Sequence, residues 1–348
     1  MPLSNARISE LLARRARTAE DPGRARAYRR ASEAALVWGE EAADVVAAGR
    51  SLTAYRGIGP RLSALIESWL DEPPEPEDVP EERAEFMTMA EAKRVLDENP
   101  GWRGSVRGDL QMHTTYSDGS EPLWGMAEAC SALAYEYAAV TDHSKGLRIA
   151  RGLDEERLAD QGRAIDSTNR VLDRQGSTLT LLRSVEMNLD GEGKGDLEPD
   201  ALGELDLVLG SFHSALRTKE DCTGRYLGAL DNPWVDVLGH PRGRRFDRRG
   251  GLRADWDVVF ETAAERRAAL EVNASVLRQD LQLSLLELAS RYDVLVSIGT
   301  DSHSVGELRF VDYGLATLVM AGIPPERVIN TWTLDRLRAW VAERRSRP

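Results

Sequence analysis

The sequence has 348 residues and a formal net charge of −13, with 42% hydrophobic and 30% charged residues. This length accommodates one large α/β domain and a smaller one. The acidic balance argues against non-specific nucleic-acid binding by the molecule as a whole. No apolar run approaches the roughly 20 residues of a membrane span, and no secretory signal is recognisable at the start of the sequence. We therefore expect a cytoplasmic protein without a membrane partner.

The beginning of the chain differs in charge from the rest. The first 65 residues contain 11 Arg and 7 Asp or Glu, a charge of +4, which leaves −17 for the remainder. Apolar residues recur at helical spacing over residues 4–50, so this part is predicted to be helical. A basic segment on an acidic protein is a candidate for phosphate contact. The alternative is that its arginines only solvate helix faces.

A glycine-rich turn lies inside this basic segment, in LTAYRGIGPRLSALIESWLDE, residues 52–72. A helical segment is predicted to reach the GIG turn, and a second helix to begin at Pro60. The pattern resembles a helix-hairpin-helix, in which backbone N–H groups at a helix N-terminus bind the DNA backbone. The alternative is a tight turn that uses glycine for steric reasons. The candidate DNA-binding residues are Gly57, Ile58, Gly59 and Arg61.

The acidic, proline-rich stretch DEPPEPEDVPEER, residues 71–83, has the composition of a linker. Residues 84–100 are predicted to form one further helix. We therefore divide the chain into three parts: a small all-α domain over 1–72, a linker and helix over 73–104, and a large domain over 105–348.

Seven short apolar segments follow, most of them with an amphipathic helix after them. This alternation is typical of βα units around a parallel sheet, and near-continuous apolar strands indicate burial on both faces. We expect an α/β fold with a closed or nearly closed barrel. The segments are VRGDLQMH, YAAVTDH, LTLLRSVEMNL, LDLVLGSFHS, VDVLGHP, AALEVNAS and VLVSIGTDSH.

All five histidines of the chain stand at the ends of such segments, where βα barrels carry their active sites. The other two segments end in Glu186 and Asn273. Acidic residues accompany the histidines: Asp118, Asp142 and Asp301. Histidine and carboxylate ligands without cysteine suit Zn²⁺, Mn²⁺ or Fe²⁺, and adjacent ions can hold a phosphate ester during hydrolysis. The five histidines are His113, His143, His213, His240 and His303.

These motifs resemble the polymerase and histidinol phosphatase (PHP) superfamily, in particular the PHP domains of bacterial family-X DNA polymerases. The resemblance covers residues 107–340 and rests on DLQMHTTYSDG, TDHSKGLRIARGL, SFHSALR, GHPRGR, EVNAS and GTDSHSVGEL. It implies a distorted (β/α)7 barrel with a site for two or three divalent metal ions. The first 70 residues likewise resemble the small DNA-end-binding domain of these polymerases, through AYRRA and the GIG turn.

Two parts of such polymerases are missing. Between residues 70 and 105 there is no room for a polymerase palm, and the first lysine is Lys93, so the N-terminal domain lacks a Schiff-base nucleophile. What the resemblance leaves is a domain that binds DNA ends joined to a phosphoesterase barrel.

The resemblance implies nine ligand positions, of which eight hold strong ligands and one holds Gln111 where the family has histidine. One interpretation is a weakened metal site beside intact ones. The other is a barrel that has lost its activity. We favour the first because the other eight positions are intact. They are His113, Asp118, His143, Glu186, His213, His240, Asp301 and His303.

We expect a metal-dependent hydrolase that processes the 3′ ends of nucleic acid in DNA repair. The alternatives are a small-molecule phosphatase of the histidinol-phosphatase type and a silent DNA-binding scaffold. The residues expected to act in catalysis are His303, Asp301 and Glu186. The substrate phosphate is assigned to Lys145, Arg148 and Arg244, with Arg217 and Arg278 also in strand-end loops, and surface solvation is the alternative for each.

Overall fold

The computed structural model describes residues 3–346. Its first part is helical, and side chains of Ser4, Asp21 and Thr88 cap three of the helices by accepting a backbone N–H. These helices are α1 (Asn5–Thr18), α2 (Pro22–Leu36), α3 (Ala42–Ala47), α4 (Pro60–Asp71) and α5 (Met89–Glu98).

The turn before α4 differs from the prediction. Helix α4 begins at Pro60 as expected, but the preceding segment contains only a 3₁₀ turn at Leu52–Ala54 instead of a helix that reaches the glycines. Gly57 has a φ of +86°, a left-handed conformation that ends any helical run there. Ile58 is buried in the core of the four N-terminal helices, beside Ile66 and Trp69.

The large sheet contains seven parallel strands in the order β1 to β7, as predicted. They coincide with the seven apolar segments because each strand is buried along almost its whole length. The strands are β1 (Gly108–Met112), β2 (Tyr137–Val140), β3 (Thr180–Leu189), β4 (Leu207–Phe212), β5 (Val237–Gly239), β6 (Ala269–Asn273) and β7 (Leu295–Gly299).

One helix follows each strand, which gives the α/β alternation of the barrel. These helices are α6 (Leu123–Ala132), α7 (Glu155–Arg174), α8 (Pro199–Gly203), α9 (Thr223–Asp231), α10 (Trp256–Arg266), α11 (Leu283–Ala289) and α12 (Val311–Met320), and α13 (Leu334–Arg345) ends the described chain. No helix within residues 3–346 combines the length and the apolar character that crossing a membrane requires.

Strand β3 is the longest and joins two parts of the sheet. Its residues 180–183 pair with β2, and its residues 184–189 pair with β4. The barrel is closed between β1 and the end of β7, where the Asp301 amide donates to the Gln111 carbonyl (3.0 Å) and the His113 amide donates to the Ser302 carbonyl (2.8 Å). The closure therefore passes through residues of the predicted site.

The amino end of the barrel is filled by apolar side chains. Leu110, Tyr137 and Leu207 pack there with Trp332 and Trp340, which belong to the segment that leads into α13 and to α13 itself. These apolar side chains fill the amino end, and active sites of βα barrels lie at the opposite, carboxyl end of the strands.

The acidic linker lies along α1 and contacts its arginines, and the Glu77 carboxylate pairs with Arg14. The guanidinium groups of Arg7 and Arg14 donate to the carbonyls of Glu75 and Asp78, both at 2.8 Å. These arginines of the basic segment are thus held by the chain itself, which reduces the number available to an external phosphate.

A buried ion-pair network fixes the N-terminal helices to the barrel. Arg83, 6% exposed, contacts Glu10 of α1 at 2.6 Å and Asp247 of the barrel at 2.8 Å. Replacement of one member of a buried pair leaves the other charged and desolvated.

We predict that Arg83→Ala lowers the free energy of unfolding by about 3 kcal/mol, less the part that Arg14 recovers through its own contact with Glu10. Urea denaturation measures this loss. The matched control is Arg94→Ala, whose pair with Glu98 is exposed and is worth about 0.5 kcal/mol. Equal stability of the two variants would contradict the role of Arg83.

Candidate metal centre

All five histidines meet at the carboxyl end of the barrel, as predicted from their positions. The ring of His113 stacks on those of His143 (centroids 4.5 Å apart) and His303 (4.4 Å). His213 lies edge-on between His143 and His240, at 5.4 Å from each. Five separate strand ends are needed to bring these rings together, so the barrel itself forms the cluster.

Glu186 occupies the centre of the cluster and is 1% exposed. Its Oε1 lies 2.7 Å from His240 Nε2 and 3.0 Å from His213 Nε2. Its Oε2 lies 3.3 Å from His143 Nδ1 and 3.4 Å from His113 Nε2. Burial alone would raise the pKa of Glu186, but the charges of His143 and His240 and the close approach of the His213 and His240 rings lower it well below its ordinary value.

The outer part of the cluster is formed by Asp118 and Asp301, which contact three of the histidines. Asp118 Oδ1 lies 3.4 Å from His303 Nε2 and 3.5 Å from His143 Nε2, and Asp301 Oδ1 lies 3.2 Å from His113 Nε2. Asp118 and His303 are each about a third exposed, whereas His113 is fully buried. The side of the cluster that a substrate can reach is therefore the Asp118–His303 side.

Gln111 points into the cluster, but its amide oxygen is turned away from the carboxylates. Asn273 Oδ1 accepts from the Ser275 amide (3.1 Å), so Asn273 Nδ2 must face Gln111 Oε1 at 2.9 Å. Gln111 Nε2 then donates to Glu186 Oε2 at 3.1 Å. The amide oxygen that was expected to act as a metal ligand is engaged with Asn273, and the group that faces Glu186 is a donor.

Two carboxylates beside the cluster have roles that sequence reasoning did not assign. Glu271, in β6, is fully buried, accepts the His240 amide at 2.6 Å and leaves Oε1 without a hydrogen-bond partner. Burial raises its pKa well above the ordinary value. An acidic residue within the apolar segment AALEVNAS was the available signal.

Asp142 faces away from the ring cluster. It accepts hydrogen bonds from the amides of Thr114 (2.9 Å) and Ser117 (3.1 Å) and from Gln161 Nε2 (2.5 Å). It therefore holds the loop that carries His113 and Asp118 in position.

The donor set fits divalent metal ions. Ring nitrogens of four of these histidines are buried without a hydrogen-bond partner, as is expected of groups that bind a metal: His113, His143, His213 and His240. Two ligands at about 2.1 Å from one ion lie up to about 4.2 Å apart, and within each of three groups the ligand atoms all lie within 4.8 Å of one another. The groups are His113–Asp118–His143–His303, His143–Glu186–His213 and His113–Glu186–Asp301.

The basic residues assigned to the substrate phosphate are distributed unevenly. Arg278 reaches the cluster, with Nε 2.9 Å from Asp301 Oδ2 and Nη1 buried without a partner. Lys145 pairs with Glu155 at 2.6 Å, and Arg148 and Arg217 are exposed. The assignment of Arg244 was wrong: it is 1% exposed, donates to the Ala84 carbonyl (2.6 Å) and lies over the Phe86 ring, so it serves packing.

The candidate DNA-binding residues lie around the start of α4. Gly57, Gly59 and Arg61 are exposed, whereas the side chain of Ile58 is 4% exposed and packs into the helical core. Only the backbone of Ile58 is therefore placed for an external contact. DNA binding by this turn stays a prediction.

Comparison with known proteins identifies bacterial relatives of this chain. The chain is 34% identical over 267 residues to the DNA polymerase/3′-5′ exonuclease PolX of Bacillus subtilis strain 168, an alignment that covers 76% of this chain and 45% of the polymerase. It is 27% identical over 249 residues to a probable phosphatase of Acetivibrio thermocellus, covering 69% of this chain and 96% of the phosphatase. The chain belongs to the PHP superfamily.

The polymerase relative is longer than the part that this chain matches. The chain spans less than half of the length of the polymerase. No protein-family model matches the sequence. Among solved structures, the histidinol phosphate phosphatase of Lactococcus lactis aligns with 59% of this chain and 92% of its own at 16% identity, with a TM-score of 0.40.

We predict that Gln111→His increases the divalent metal retained by the PHP barrel, by up to about one ion per chain, because imidazole is the better ligand for Zn²⁺ or Fe²⁺. Inductively coupled plasma mass spectrometry after dialysis measures the retained metal. Gln111→Leu is the control, because it removes the amide without adding a metal ligand and should not increase the retained metal. Identical metal content in the wild type and both variants would contradict the assignment of position 111 to the metal centre.

Proposed function

We propose that this protein is a metal-dependent phosphoesterase that hydrolyses the 3′ ends of nucleic acid, with DNA as its partner. The observation that carries the proposal is the convergence of four histidines on Glu186, with ring nitrogens that are buried without a hydrogen-bond partner. The names of its relatives, a 3′-5′ exonuclease and a probable phosphatase, support phosphate-ester chemistry. We include a cytoplasmic location in the proposal.

Two or three Zn²⁺, Mn²⁺ or Fe²⁺ ions would be held by the three ligand groups. When bound, such ions neutralise phosphate charge and lower the pKa of bound water. Glu186 is placed to be shared between groups, because its two oxygens face different histidines. Since it is buried, we assign it to metal binding and not to proton transfer with solvent.

Asp301 and His303 act at the substrate side in this proposal. His303 is the cluster histidine with the greatest exposure, which places it to exchange a proton with a leaving group. The free Nη1 of Arg278, beside Asp301, can donate to a phosphate oxygen.

Two other functions remain as alternatives. A small-molecule phosphatase needs the same cluster, and the probable phosphatases among the relatives favour it. A silent scaffold is favoured by Gln111, whose donor group faces Glu186. The substrate assay below separates all three.

We predict that the protein, supplied with Mn²⁺, shortens a 5′-labelled single-stranded oligonucleotide from its 3′ end. His240→Ala should reduce the rate more than the roughly 10–100-fold that loss of an outer-shell partner costs, because it removes a nitrogen 2.7 Å from Glu186. Denaturing gel electrophoresis measures the shortening.

The control is p-nitrophenyl phosphate under the same conditions. Hydrolysis of this ester without shortening of the oligonucleotide would support the small-molecule alternative and contradict the nucleic-acid assignment. Absence of both activities with Zn²⁺, Mn²⁺ and Fe²⁺ would contradict the phosphoesterase assignment altogether.

A further inference from the structure

Five residues beyond the ligand His240, the chain forms a small turn that we call the arginine hairpin, residues 245–249 with the sequence RFDRR. Its ends pair with each other: the Arg245 amide donates to the Arg249 carbonyl at 2.9 Å, and the Arg249 amide donates to the Arg245 carbonyl at 3.0 Å. The hairpin lies between the barrel and the N-terminal helices.

The two non-basic residues of the arginine hairpin fix it to the protein. Phe246 is buried with its ring 5.0 Å from that of Phe86. Asp247 accepts from Arg83 at 2.8 Å and pairs with Arg17 at 3.3 Å. The turn therefore has a fixed orientation, in which its aromatic and acidic side chains are used internally.

The three arginines of the hairpin differ from its acidic residue in that they form no ion pair within the described chain. Within residues 3–346, neither Arg245, Arg248 nor Arg249 has a carboxylate within 4.0 Å, although Arg249 Nε donates to the Gly243 carbonyl at 2.5 Å. Burial and the charges of Arg278 and Arg248 lower the pKa of Arg245. Burial, Arg278 and Arg245 lower that of Arg249 to about 10. These cations repel one another, and an anion between them would relieve the repulsion.

A cleft of about 270 Å³ lies beside the hairpin. Its lining includes Arg248 and Arg249 of the hairpin and also Arg217 and Lys219, from the loop that follows His213. The acidic residues that line the cleft are already paired: Glu81 with Arg242 at 3.0 Å and Glu82 with Arg17 at 2.5 Å. Glu33 of α2 also faces the hairpin, since its carboxylate interacts with Arg245 and Arg248. The unpaired charge of the cleft walls is therefore positive.

Arg278 connects this basic surface to the metal centre. Its Nε is 2.9 Å from Asp301, and its charge acts on both Arg245 and Arg249. Electrostatic interactions thus link Arg278, which contacts Asp301, with Arg249, which lines the cleft. A single phosphate group at the metal centre would use Arg278 alone, whereas a chain of phosphates would use the whole series.

We propose that the arginine hairpin and the facing Arg217 and Lys219 bind the phosphate backbone of a single strand of nucleic acid and lead its end to the metal centre. This inference rests on the proposed function and assigns the substrate as a strand several nucleotides long. The sequence analysis did not select the three hairpin arginines, because they lie just after the GHPRGR motif and belong to no motif of their own.

The test is a triple variant, Arg245→Ala, Arg248→Ala and Arg249→Ala, in the full-length protein. Binding of a fluorescein-labelled oligothymidylate is measured by anisotropy in EDTA at several salt concentrations. Each phosphate contact on a single strand contributes about 0.7 to the slope of log Kd against log salt concentration, so the slope should fall by about 2. The ratio kcat/KM for p-nitrophenyl phosphate should change by less than about twofold, because these arginines lie outside the metal centre.

The matched control is Arg170→Ala, Arg174→Ala and Arg291→Ala, which removes three exposed arginines near the amino ends of β3 and β7. It should leave the slope unchanged. Equal slopes for the hairpin variant and this control would overturn the inference. If the hairpin variant fails to fold, Arg217→Ala with Lys219→Ala, which also line the cleft, should lower the slope by about 1.4, and an unchanged slope would again overturn it.

Failure of the proposed function has a different signature. A wild-type protein that hydrolyses neither oligonucleotide nor ester, but binds the oligonucleotide with a slope that depends on the hairpin, would contradict the enzymatic proposal and support the strand-binding surface. If the wild type hydrolyses the oligonucleotide but the hairpin variant binds it with an unchanged slope, the result would support the enzymatic proposal and contradict the strand-binding surface.

Discussion

A carboxylate buried in a protein interior needs cations, hydrogen-bond donors or metal ions around it, and Glu186 imposes this requirement on the whole site. Four imidazoles and the Gln111 amide surround its two oxygens. Glu186 also belongs to β3, the strand that pairs with β2 in its first part and β4 in its second. The group that organises the chemistry therefore lies on the strand that joins the two parts of the barrel, so fold and site depend on each other.

The environment of Gln111 explains how the cluster accommodates an amide at a histidine position. Asn273 donates to both Gln111 and Asp301, at 2.9 and 3.2 Å, and the guanidinium of Arg278 lies against Asp301. A fixed cation and two amides thus supply, on this side of the cluster, part of the charge and the hydrogen bonds that a metal ion would otherwise supply. Around Glu186, one ring nitrogen each of His143, His213 and His240 is buried without a hydrogen-bond partner.

Much of the fold was predictable because it depends on local pattern. The seven strands are near-continuous apolar runs, and the histidine, carboxylate or amide side chain at the end of each run lies at the carboxyl end of the barrel. What was not predictable depends on distant residues. Arg244 is buried because Phe86, more than 150 positions earlier, lies under its guanidinium, and the orientation of Gln111 is set through Asn273 by the amide of Ser275.

The linker, residues 71–83, also has contacts with distant residues that its local sequence does not predict. Its composition predicted a linker, yet its carbonyls bind arginines of α1, and Arg83 at its end joins α1 to the arginine hairpin. Charge counts along the sequence could not show which arginines are neutralised internally and which remain available. In the fold, the available ones lie beside the metal centre, on the barrel, as well as in the N-terminal helices.

The central claim is that the Glu186 cluster binds divalent metal ions. The most direct measurement is anomalous diffraction from a crystal soaked in Mn²⁺, recorded on both sides of the manganese absorption edge. We expect edge-dependent density between Glu186 and the ring nitrogens of His143 and His213, with Glu186 and His240 separated beyond their present 2.7 Å. Absence of anomalous density, with the direct hydrogen bond between Glu186 and His240 retained, would contradict the account.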